Sequence, residues 1–447
     1  SVFDDKYQND ETGRRAYEPK ILLKVVLLAY SRVLISSRQN ERACCEKVTF
    51  IAMSSNQRPD HSTIEPFVSS MKDQIKPLFR DVLLVCEQEG LLGGTLFAVD
   101  GCKMPSNASK EWSGKFSELQ KRKEKIEHTI KVLVEDHIEK DKEEDTEKGQ
   151  PLASHEKQIK RLHEQADKIE KWLSENEKKI GSNGKELRSN ITDNDSTKMY
   201  TSHGTVQGYN SQAMVDSKHQ VIVNGEALGR GPDNENLPPV VDGAKENLES
   251  IGKSPDYFED KILTADSSYH SIPNLNKCTE EKLDAYIPDN RFRNRDKRFA
   301  SRVSYRPRSK KFTFADYKYD RDKDQFICPN GKRLKRHIKP KLKNGKILRG
   351  YVSNENDCKC CQLRAKCVRY KDAKRRYLTY YADASGENIS YAMIKKIDSE
   401  KGRNIYPRRI AIVEPVFANI RTQKRLDKFN LRGKIKVNIQ WLLYCMV

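Results

Sequence analysis

Two short apolar segments of this chain each run directly into an aspartate. The first is TLFAVDG (95–101) and the second is KILTAD (261–266). Short apolar runs that are rich in Val, Ile, Thr and Phe are typical of buried β-strands. We therefore predict one strand that ends at Asp100 and another that ends at Asp266.

Other segments with strand or helix periodicity surround these two. They are a hairpin at 208–216 and 219–228, helices near 236–250, 272–283, 405–427 and 430–447, and a strand at 284–289. The order strand, hairpin, helix, strand, helix, strand predicts a mixed α/β sheet. It is the order of an RNase H-like fold, in which a third acidic residue, Glu414, lies on the later helix.

Asp100, Asp266 and Glu414 are far apart in the sequence, but each belongs to a predicted rigid element. Three such carboxylates indicate a two-metal site for phosphoryl transfer. Mg²⁺ or Mn²⁺ is the expected ion, because Mg²⁺ prefers hard oxygen ligands and takes only a few of them from protein. Each acid taken singly has a plainer alternative, since aspartates commonly form turns or cap helices.

The positive charge of the chain is concentrated in one region. The formal net charge is +20, and residues 291–376 contain 30 lysines and arginines but only 8 aspartates and glutamates. A local basic excess favours a polyanionic partner such as nucleic acid. The alternative is a solvated, lysine-rich insertion. Tyrosines lie among these charges and are expected either to stack on bases or to pack in a core, namely Tyr351, Tyr370, Tyr377, Tyr380 and Tyr381.

Neither a membrane span nor a secretory signal is recognisable in this sequence. No run of about 18 apolar residues occurs, and we expect a cytoplasmic, nucleoid-associated protein. The chain begins at Ser1 and ends within the apolar segment QWLLYCMV (440–447). Both ends resemble internal sequence, so we expect the natural protein to be longer.

Four of the eleven cysteines are crowded into residues 358–367. The pattern Cys358-x₂-Cys361-x₅-Cys367, together with Cys328 thirty residues upstream, suits a tetrahedral structural Zn²⁺ site. Cys360 is an additional thiol that competes with Cys361 for the role of ligand, and free thiols in a basic loop are the alternative. Several cations near Cys328 would then form a braced surface beside DNA, namely Lys332, Arg333, Lys335, Arg336, Lys339 and Lys341.

Two regions of the chain have strong helical patterns. Residues 17–90 predict short helices, including one over 38–54 and one that opens at Ser62 with capping-box spacing to Glu65. This region is either a helix-turn-helix-like DNA-binding module or a plain helical bundle. Residues 112–180 predict a helical hairpin of coiled-coil type with its exposed turn at 140–151, and a structural or dimerising arm is the expected role.

Several blocks in a fixed order resemble a known family. They are residues 7–32, SSRQNERA (36–43), PDHSTI (59–64), FAVDGCKMPSNASK (97–110), GYNSQAMVD (208–216), TADSSYHS (264–271) and VEPVFANIR (413–421). In this order they resemble the bacterial insertion-sequence transposases of the DDE class, the branch with an RNase H-like core. Related transposases carry a similar cysteine insertion between the second Asp and the Glu.

The resemblance implies that Asp100, Asp266 and Glu414 are the catalytic triad. It also implies accessory DNA contacts from Tyr406, Arg409 and Arg421 around Glu414. Arg421 stands where the family usually has Lys, and Arg409 is one residue further from Glu414 than the usual spacing. Arg and Lys both attract phosphate but differ in geometry and hydration.

The implied activity is Mg²⁺-dependent DNA cleavage and strand transfer by a homodimer on double-stranded DNA, at terminal inverted repeats and target. The alternatives are an inactive or domesticated DNA-binding protein and a nuclease of the same fold. The expected domains are an N-terminal helical domain (1–93), an RNase H-like core (94–111, 186–290 and 391–447), a coiled-coil insertion (112–185) and a basic zinc-binding insertion (291–390).

Overall fold

The computed structural model describes residues 3, 16–143, 152–181, 184–202, 204–301, 311–312, 314–320, 322–343, 346–368, 372–382 and 388–447. It divides the chain into two compact units. Unit 1 comprises Ser1–Gly93, Asp100–Ser254 and Val413–Val447, and unit 2 comprises Gly94–Val99 and Pro255–Ile412. The predicted core segments are therefore shared between the two units, and the predicted domain bounds stay a prediction.

Five helices precede the first strand in unit 1. They are α1 (Pro19–Ser31), α2 (Ser37–Glu46), α3 (Val48–Met53), α4 (His61–Ser69) and α5 (Ile75–Gln88). The predicted helix over 38–54 is wrong in one respect, because it breaks at Lys47, whose backbone is extended. The predicted cap at Ser62 is also wrong. Asp60 caps α4 instead, since its carboxylate accepts a hydrogen bond from the Thr63 amide at 2.7 Å.

Strand β1 (Leu96–Pro105) contributes its first residues, up to Val99, to unit 2 and the remainder to unit 1. Its first four residues are buried and the next four are only partly so. The predicted strand end at Asp100 is wrong because pairing continues after the apolar run has stopped. Beyond the strand, the Ser106 amide donates to the Gln207 carbonyl at 2.9 Å.

Two long helices follow β1 in unit 1. The segment contains β2 (Ser113–Gly114), α6 (Phe116–Glu143), α7 (Leu152–Glu175) and β3 (Ser189–Asn190). Apolar side chains of α6 and α7 pack together, among them Ile126 and Ile169. Of the predicted turn at 140–151, residues 144–151 lie outside the described part of the chain. Among the described residues, no helix is long and apolar enough to cross a membrane.

Unit 1 also contains β4 (Thr197–Thr201), β5 (Gly204–Asp216), β6 (Ile222–Leu228) and α8 (Leu237–Ser250). β5 pairs antiparallel with β6, as the hairpin pattern predicted. It also pairs antiparallel with β4 and neighbours β1. Gly208 allows the close approach of β5 to β1. A Cβ atom at Gly208 would lie 2.0 Å from the Met104 carbonyl oxygen.

Unit 2 contains β7 (Ile262–Ala265), α9 (Ile272–Glu280) and β8 (Asp284–Tyr286). β7 pairs in parallel with the start of β1 and with β8. The register runs from Leu96 opposite Ile262 to Val99 opposite Ala265. These strands are buried, as expected for parallel strands in an α/β protein. The strands and helices of the two units give a mixed α/β fold, in agreement with the predicted class.

The basic region of unit 2 contains a second sheet of five strands in the order β13-β12-β11-β10-β9. Its elements are α10 (Phe292–Arg295), β9 (Lys318–Asp320), β10 (Gln325–Ile327), β11 (Arg333–Lys343), β12 (Lys346–Ser353), α11 (Glu355–Lys359), α12 (Arg364–Cys367) and β13 (Tyr377–Ala382). Phe326, Leu334, Tyr351, Leu378 and Tyr380 form its apolar core. Tyr351 and Tyr380 are therefore core residues, while Tyr370 and the Tyr381 side chain lie outside the described residues.

The last helices are α13 (Ile389–Asp398), α14 (Glu400–Ile405), α15 (Arg408–Ala418) and α16 (Lys434–Met446), with a π-helical turn at Asn419–Gln423 after α15. The predicted single helix over 405–427 is wrong. Pro407 separates α14 from α15, because proline lacks the amide that would continue the helix, and the break occurs although Tyr406 before it still has a helical backbone.

Candidate active site

Asp100 lies in unit 1 on the part of β1 that continues beyond the buried run. Its Oδ1 atom accepts a hydrogen bond from the Gly101 amide at 2.8 Å, which restrains the carboxylate. Asp100 lines an open depression of about 410 Å³ together with Glu414 and Arg421. Two of the predicted site residues from distant parts of the sequence, and one predicted accessory cation, thus come together in unit 1.

Glu414 reaches this depression from α15. The carboxylate is on the exposed side of the helix, whereas the neighbouring Val413 and Phe417 are buried and hold the helix in place. Arg421 follows in the π-helical turn, two turns beyond Glu414. The exposed acid and the exposed cation therefore share one surface of unit 1.

Cys102 also lines the depression, although no sequence motif assigned it to the site. Burial raises the pKa of its thiol above the usual value; Asp100 and Glu414 add to this effect, while Arg421, which is in hydrogen-bonding reach of the sulfur, opposes it. The available signal was the strand period of two, which puts residues 100 and 102 on the same face.

Asp266 lies in unit 2 at the end of β7, where it caps a short 3₁₀ turn, Ser267–Tyr269. Its Oδ1 atom accepts hydrogen bonds from the Ser268 amide at 2.8 Å and from the Ser268 hydroxyl at 2.5 Å. Asp266 is therefore a cap, which is the plainer alternative predicted for it from the sequence. One oxygen is held by the turn, which fixes the orientation of the carboxylate.

Tyr406 and Arg409 lie near Asp266 within unit 2. Burial raises the pKa of Tyr406 above its usual value, the charge of Asp266 adds to this, and the charge and hydrogen bond of Arg409 oppose it. The Arg409 side chain is only 8% exposed. Tyr406 also packs edge-on against Phe292, with ring centroids 5.3 Å apart. Asp266, Tyr406 and Arg409 thus form a second group of predicted site residues.

The four predicted zinc ligands line one small cavity of about 30 Å³ in unit 2, namely Cys328, Cys358, Cys361 and Cys367. Cys360 is exposed and is not among the lining residues. The structure therefore distinguishes two cysteines that the sequence pattern left as equivalent candidates.

Each of these four sulfurs has a polar contact. Tyr317 Oη lies 3.0 Å from Cys367 Sγ and Ser353 Oγ lies 3.0 Å from Cys358 Sγ. The Lys332 amide donates to Cys328 Sγ at 3.3 Å, and Asn330 Nδ2 lies 3.5 Å from Cys361 Sγ. Burial raises the pKa of Cys367, while the Tyr317 hydrogen bond and the charge of Arg376 oppose the rise.

Within the described residues, no three or more His, Cys, Asp or Glu side chains are arranged so that they could hold a metal ion. This applies to the carboxylates as well as to the cysteines. The zinc site is therefore without support from the geometry and stays a prediction, as do the metal ligands at the carboxylates.

Comparisons with known proteins bear on the two ends of the chain. A family model described as Transposase DDE domain matches residues 327–447, and one described as Transposase domain (DUF772) matches residues 1–70. The first match contains Glu414 and the four cysteines, and neither match contains Asp100 or Asp266. No curated protein matches the sequence. The two family matches are in the order expected from the sequence blocks and support an insertion-sequence DDE transposase.

Proposed function

We propose that this transposase cleaves DNA strands at the ends of an insertion sequence and joins them to target DNA, with Asp100, Asp266 and Glu414 as its catalytic carboxylates. The observation that carries the proposal is the parallel pairing of Val99 with Ala265, because each is followed directly by one of the two aspartates. Both strands are buried up to these paired residues, so each aspartate stands where a buried run stops.

Glu414 is the third carboxylate because it lines the same depression as Asp100. The strand pattern also favours an RNase H-like core, since β6 is antiparallel to β5 while β7 and β8 are parallel to each other. In such a core the acids come from two strands and a later helix, which are the elements that carry these three residues.

The donor chemistry of the three carboxylates fits Mg²⁺ or Mn²⁺, because both are hard ions that take oxygen ligands. A bound divalent ion would supply an activated water and neutralise charge on the phosphate. The chain's own contribution is orientation. The Gly101 amide restrains Asp100, and Ser268 restrains Asp266 through its amide and hydroxyl. Restrained carboxylates lose less freedom when they bind an ion or a phosphate-bound water.

The cations around the carboxylates are proposed to contact DNA phosphates. Arg421 shares the depression with Asp100 and Glu414. Arg409, with its planar guanidinium, and Tyr406, with its hydroxyl, are the corresponding groups beside Asp266. Guanidinium groups suit this role because they present several donors in a fixed geometry to phosphate oxygens.

We further propose structural Zn²⁺ at Cys328, Cys358, Cys361 and Cys367. Thiolates are the preferred zinc ligands, and the four sulfurs line a single cavity whose nearest polar groups are hydroxyl and amide donors. Donors around a thiolate stabilise its negative charge. Bound zinc would cross-link the turn at Cys328 to the short helices α11 and α12.

The proposed partner is double-stranded DNA, at the terminal inverted repeats and the target, bound by a homodimer. Transposition requires two element ends to be held together, which favours at least two copies of the chain. The paired helices α6 and α7 extend an arm whose proposed role is dimerisation or structural support.

The decisive experiment measures strand cleavage and strand transfer on DNA that carries the element's end, in Mg²⁺ and in Mn²⁺. Asp100→Asn and Glu414→Gln are expected to lower both activities at least about a thousandfold, while DNA binding changes little. Glu280→Gln, an exposed acid at the end of α9, is the charge-matched control. Equal activity of all four proteins would refute the catalytic assignment. Cleavage without transfer would instead identify a nuclease, and binding without cleavage a DNA-binding protein.

A further inference from the structure

One face of the five-stranded sheet of unit 2 is buried in the apolar core of that region. Phe326 and Leu334 are 0% exposed, and Tyr351 is 1% exposed. Side chains alternate along a strand, so the neighbours of Leu334 on β11, Arg333 and Lys335, project from the opposite face. This opposite face is solvent-exposed and basic.

Cross-strand pairing puts an aromatic side chain on that exposed face. Lys335 pairs with Val352 on β12, and Val352 pairs with Tyr377 on β13. Tyr377 is 55% exposed, whereas the next residue, Leu378, is buried in the core. The Tyr377 ring is edge-on to His337, with centroids 6.0 Å apart.

Arg375 extends this surface next to Tyr377. Its guanidinium lies 5.5 Å from the centroid of the Tyr377 ring, and its Nε atom donates to the Tyr377 hydroxyl at 3.2 Å. Arg375 therefore contacts one side of the Tyr377 ring and its hydroxyl, while more than half of Tyr377 stays exposed to solvent. A restrained and exposed aromatic ring of this kind can stack on a further planar group.

Several cations of this region already have partners and are unsuited to ligand binding. Arg336 forms an ion pair with Asp324 at 2.7 Å, and Arg349 lies 3.8 Å from the same carboxylate. Arg364 donates to backbone carbonyls near the cysteines, including that of Cys358 at 3.2 Å. These arginines stabilise the sheet and its connections.

Arg333 and Lys335 differ from them, because both are exposed and neither forms an ion pair with a described residue. Two cations without carboxylate partners on one face of a strand would repel each other and favour an anionic ligand. The sequence did not separate these residues from Arg336, since all three look alike in a basic run. Their pairing in the structure makes the distinction.

We propose that the basic sheet face, defined as Arg333, Lys335, His337, Arg375 and Tyr377, binds DNA outside the carboxylate groups. Arg333 and Lys335 contact backbone phosphates, and Tyr377 stacks on an unpaired base next to the duplex. The proposal rests on the proposed function only in its choice of DNA as the polyanion. An exposed ring adds little to contacts with duplex phosphates, whereas every unpaired base offers it a flat surface.

The test compares two labelled DNAs of one sequence, a blunt duplex and the same duplex with a short single-stranded extension. Dissociation constants are measured by fluorescence anisotropy over a series of salt concentrations, without added divalent metal. Because no cleavage takes place, the result is independent of the catalytic proposal. The variants are Arg333→Gln/Lys335→Gln, Tyr377→Ala and Tyr377→Phe. The charge-matched control is Lys160→Gln/Lys171→Gln, which removes two exposed lysines from α7.

The Arg333→Gln/Lys335→Gln variant is expected to bind both DNAs more weakly, with a slope of log K against log salt that is smaller by about 1.8, or about 0.9 for each lost phosphate contact. Tyr377→Ala is expected to lose about fivefold or more in affinity for the extended DNA alone, and Tyr377→Phe is expected to keep it. An equal loss in the α7 control would show that only net charge matters and would overturn the phosphate contacts. An equal loss for both DNAs in Tyr377→Ala would overturn the stacking role.

Discussion

Val99 on β1 pairs in parallel with Ala265 on β7, and the residue that follows each of them is an aspartate. The register is constrained by burial, since Phe97 and Leu263 are paired and are 1% and 0% exposed. A slip of one residue would exchange the two buried faces of a strand and bring Phe97 to the face where the small Ala98 now packs. The pairing of Val99 with Ala265 is thus a consequence of core packing.

Ser268 is expected to matter for activity because it orients the Asp266 carboxylate. Ser268→Ala removes the hydroxyl that lies 2.5 Å from Asp266 Oδ1 but keeps the backbone hydrogen bond. A net hydrogen bond contributes about 0.5–1.5 kcal/mol, so cleavage should fall about 2- to 12-fold. The effect should appear mainly as a higher Mn²⁺ concentration for half-maximal cleavage. Ser268→Thr keeps a hydroxyl and should recover most of the activity; an unchanged Mn²⁺ requirement in Ser268→Ala would contradict the positioning role.

The cysteine cavity predicts different behaviour for two adjacent thiols. Cys361 lines the cavity and Cys360 does not. Protein purified without chelator should contain about one equivalent of zinc. Cys361→Ser should lose most of the metal and lower the melting temperature, because binding energy at such sites is folding energy. Cys360→Ser should keep both. Metal analysis and calorimetry measure the two quantities, and a zinc content below about half an equivalent in wild type would exclude the site.

Arg295 forms ion pairs with two acids of unit 2. Asp289 lies three residues after the end of β8, and Asp398 is the last residue of α13. Burial alone would raise the pKa of Asp289, but the hydrogen bonds and charge of Arg295 outweigh it and the pKa lies below its usual value. Arg295→Gln should therefore destabilise the protein by about 2 kcal/mol at pH 7.

The contribution of this pair should depend on pH in one direction. Because the folded pKa of Asp289 is below the unfolded value of about 3.9, the stabilisation is complete above that value and disappears as the pH falls through the folded pKa. Urea unfolding at several pH values should show wild type and Arg295→Gln converging below about pH 4. Arg291→Gln, an exposed neighbour, is the control. A constant difference down to pH 3 would rule out this pair as the source.

Gly101, directly after Asp100, is expected to tolerate no side chain. A Cβ atom there would lie 2.1 Å from Gln212 Nε2 and 2.7 Å from Asn210 Oδ1. Gln212 has little freedom to move, since it is 0% exposed and bonded to Asn210 and Asp233. Gly101→Ala should cost about 1–3 kcal/mol of stability through overpacking. Thermal unfolding measures the cost, and a melting temperature equal to that of wild type would show that β5 adjusts.

Most of the elements that hold the candidate residues follow from local sequence pattern. The hairpin of β5 and β6, helix α8 and strand β7 lie where apolar periodicity predicted them. The errors are local too. Asp60 rather than Ser62 caps α4, and Pro407 divides the helix that was expected to be continuous. In each case a single polar or proline residue decided the boundary.

The candidate site was predicted less completely than the fold. Asp100 and Glu414 were identified as carboxylates of one site, and they share a depression with Arg421. Cys102 was assigned no role, because a thiol between a glycine and a lysine carries no signal of its own. Its position became apparent only when β1 extended beyond Asp100, so that alternate residues of the strand faced the same way.

The sequence by itself indicated the transposase family, predicted most of the order of strands and helices, and singled out the candidate acids and cysteines, because these depend on residue type and on spacing along the chain. The tertiary structure decided which residues of the same type are paired or buried and which are exposed. Arg336 is paired with Asp324 while Arg333 and Lys335 are exposed without ion pairs to described residues, and Tyr351 is buried while Tyr377 is open. Burial and pairing arise from contacts between segments distant in sequence, which no local pattern encodes.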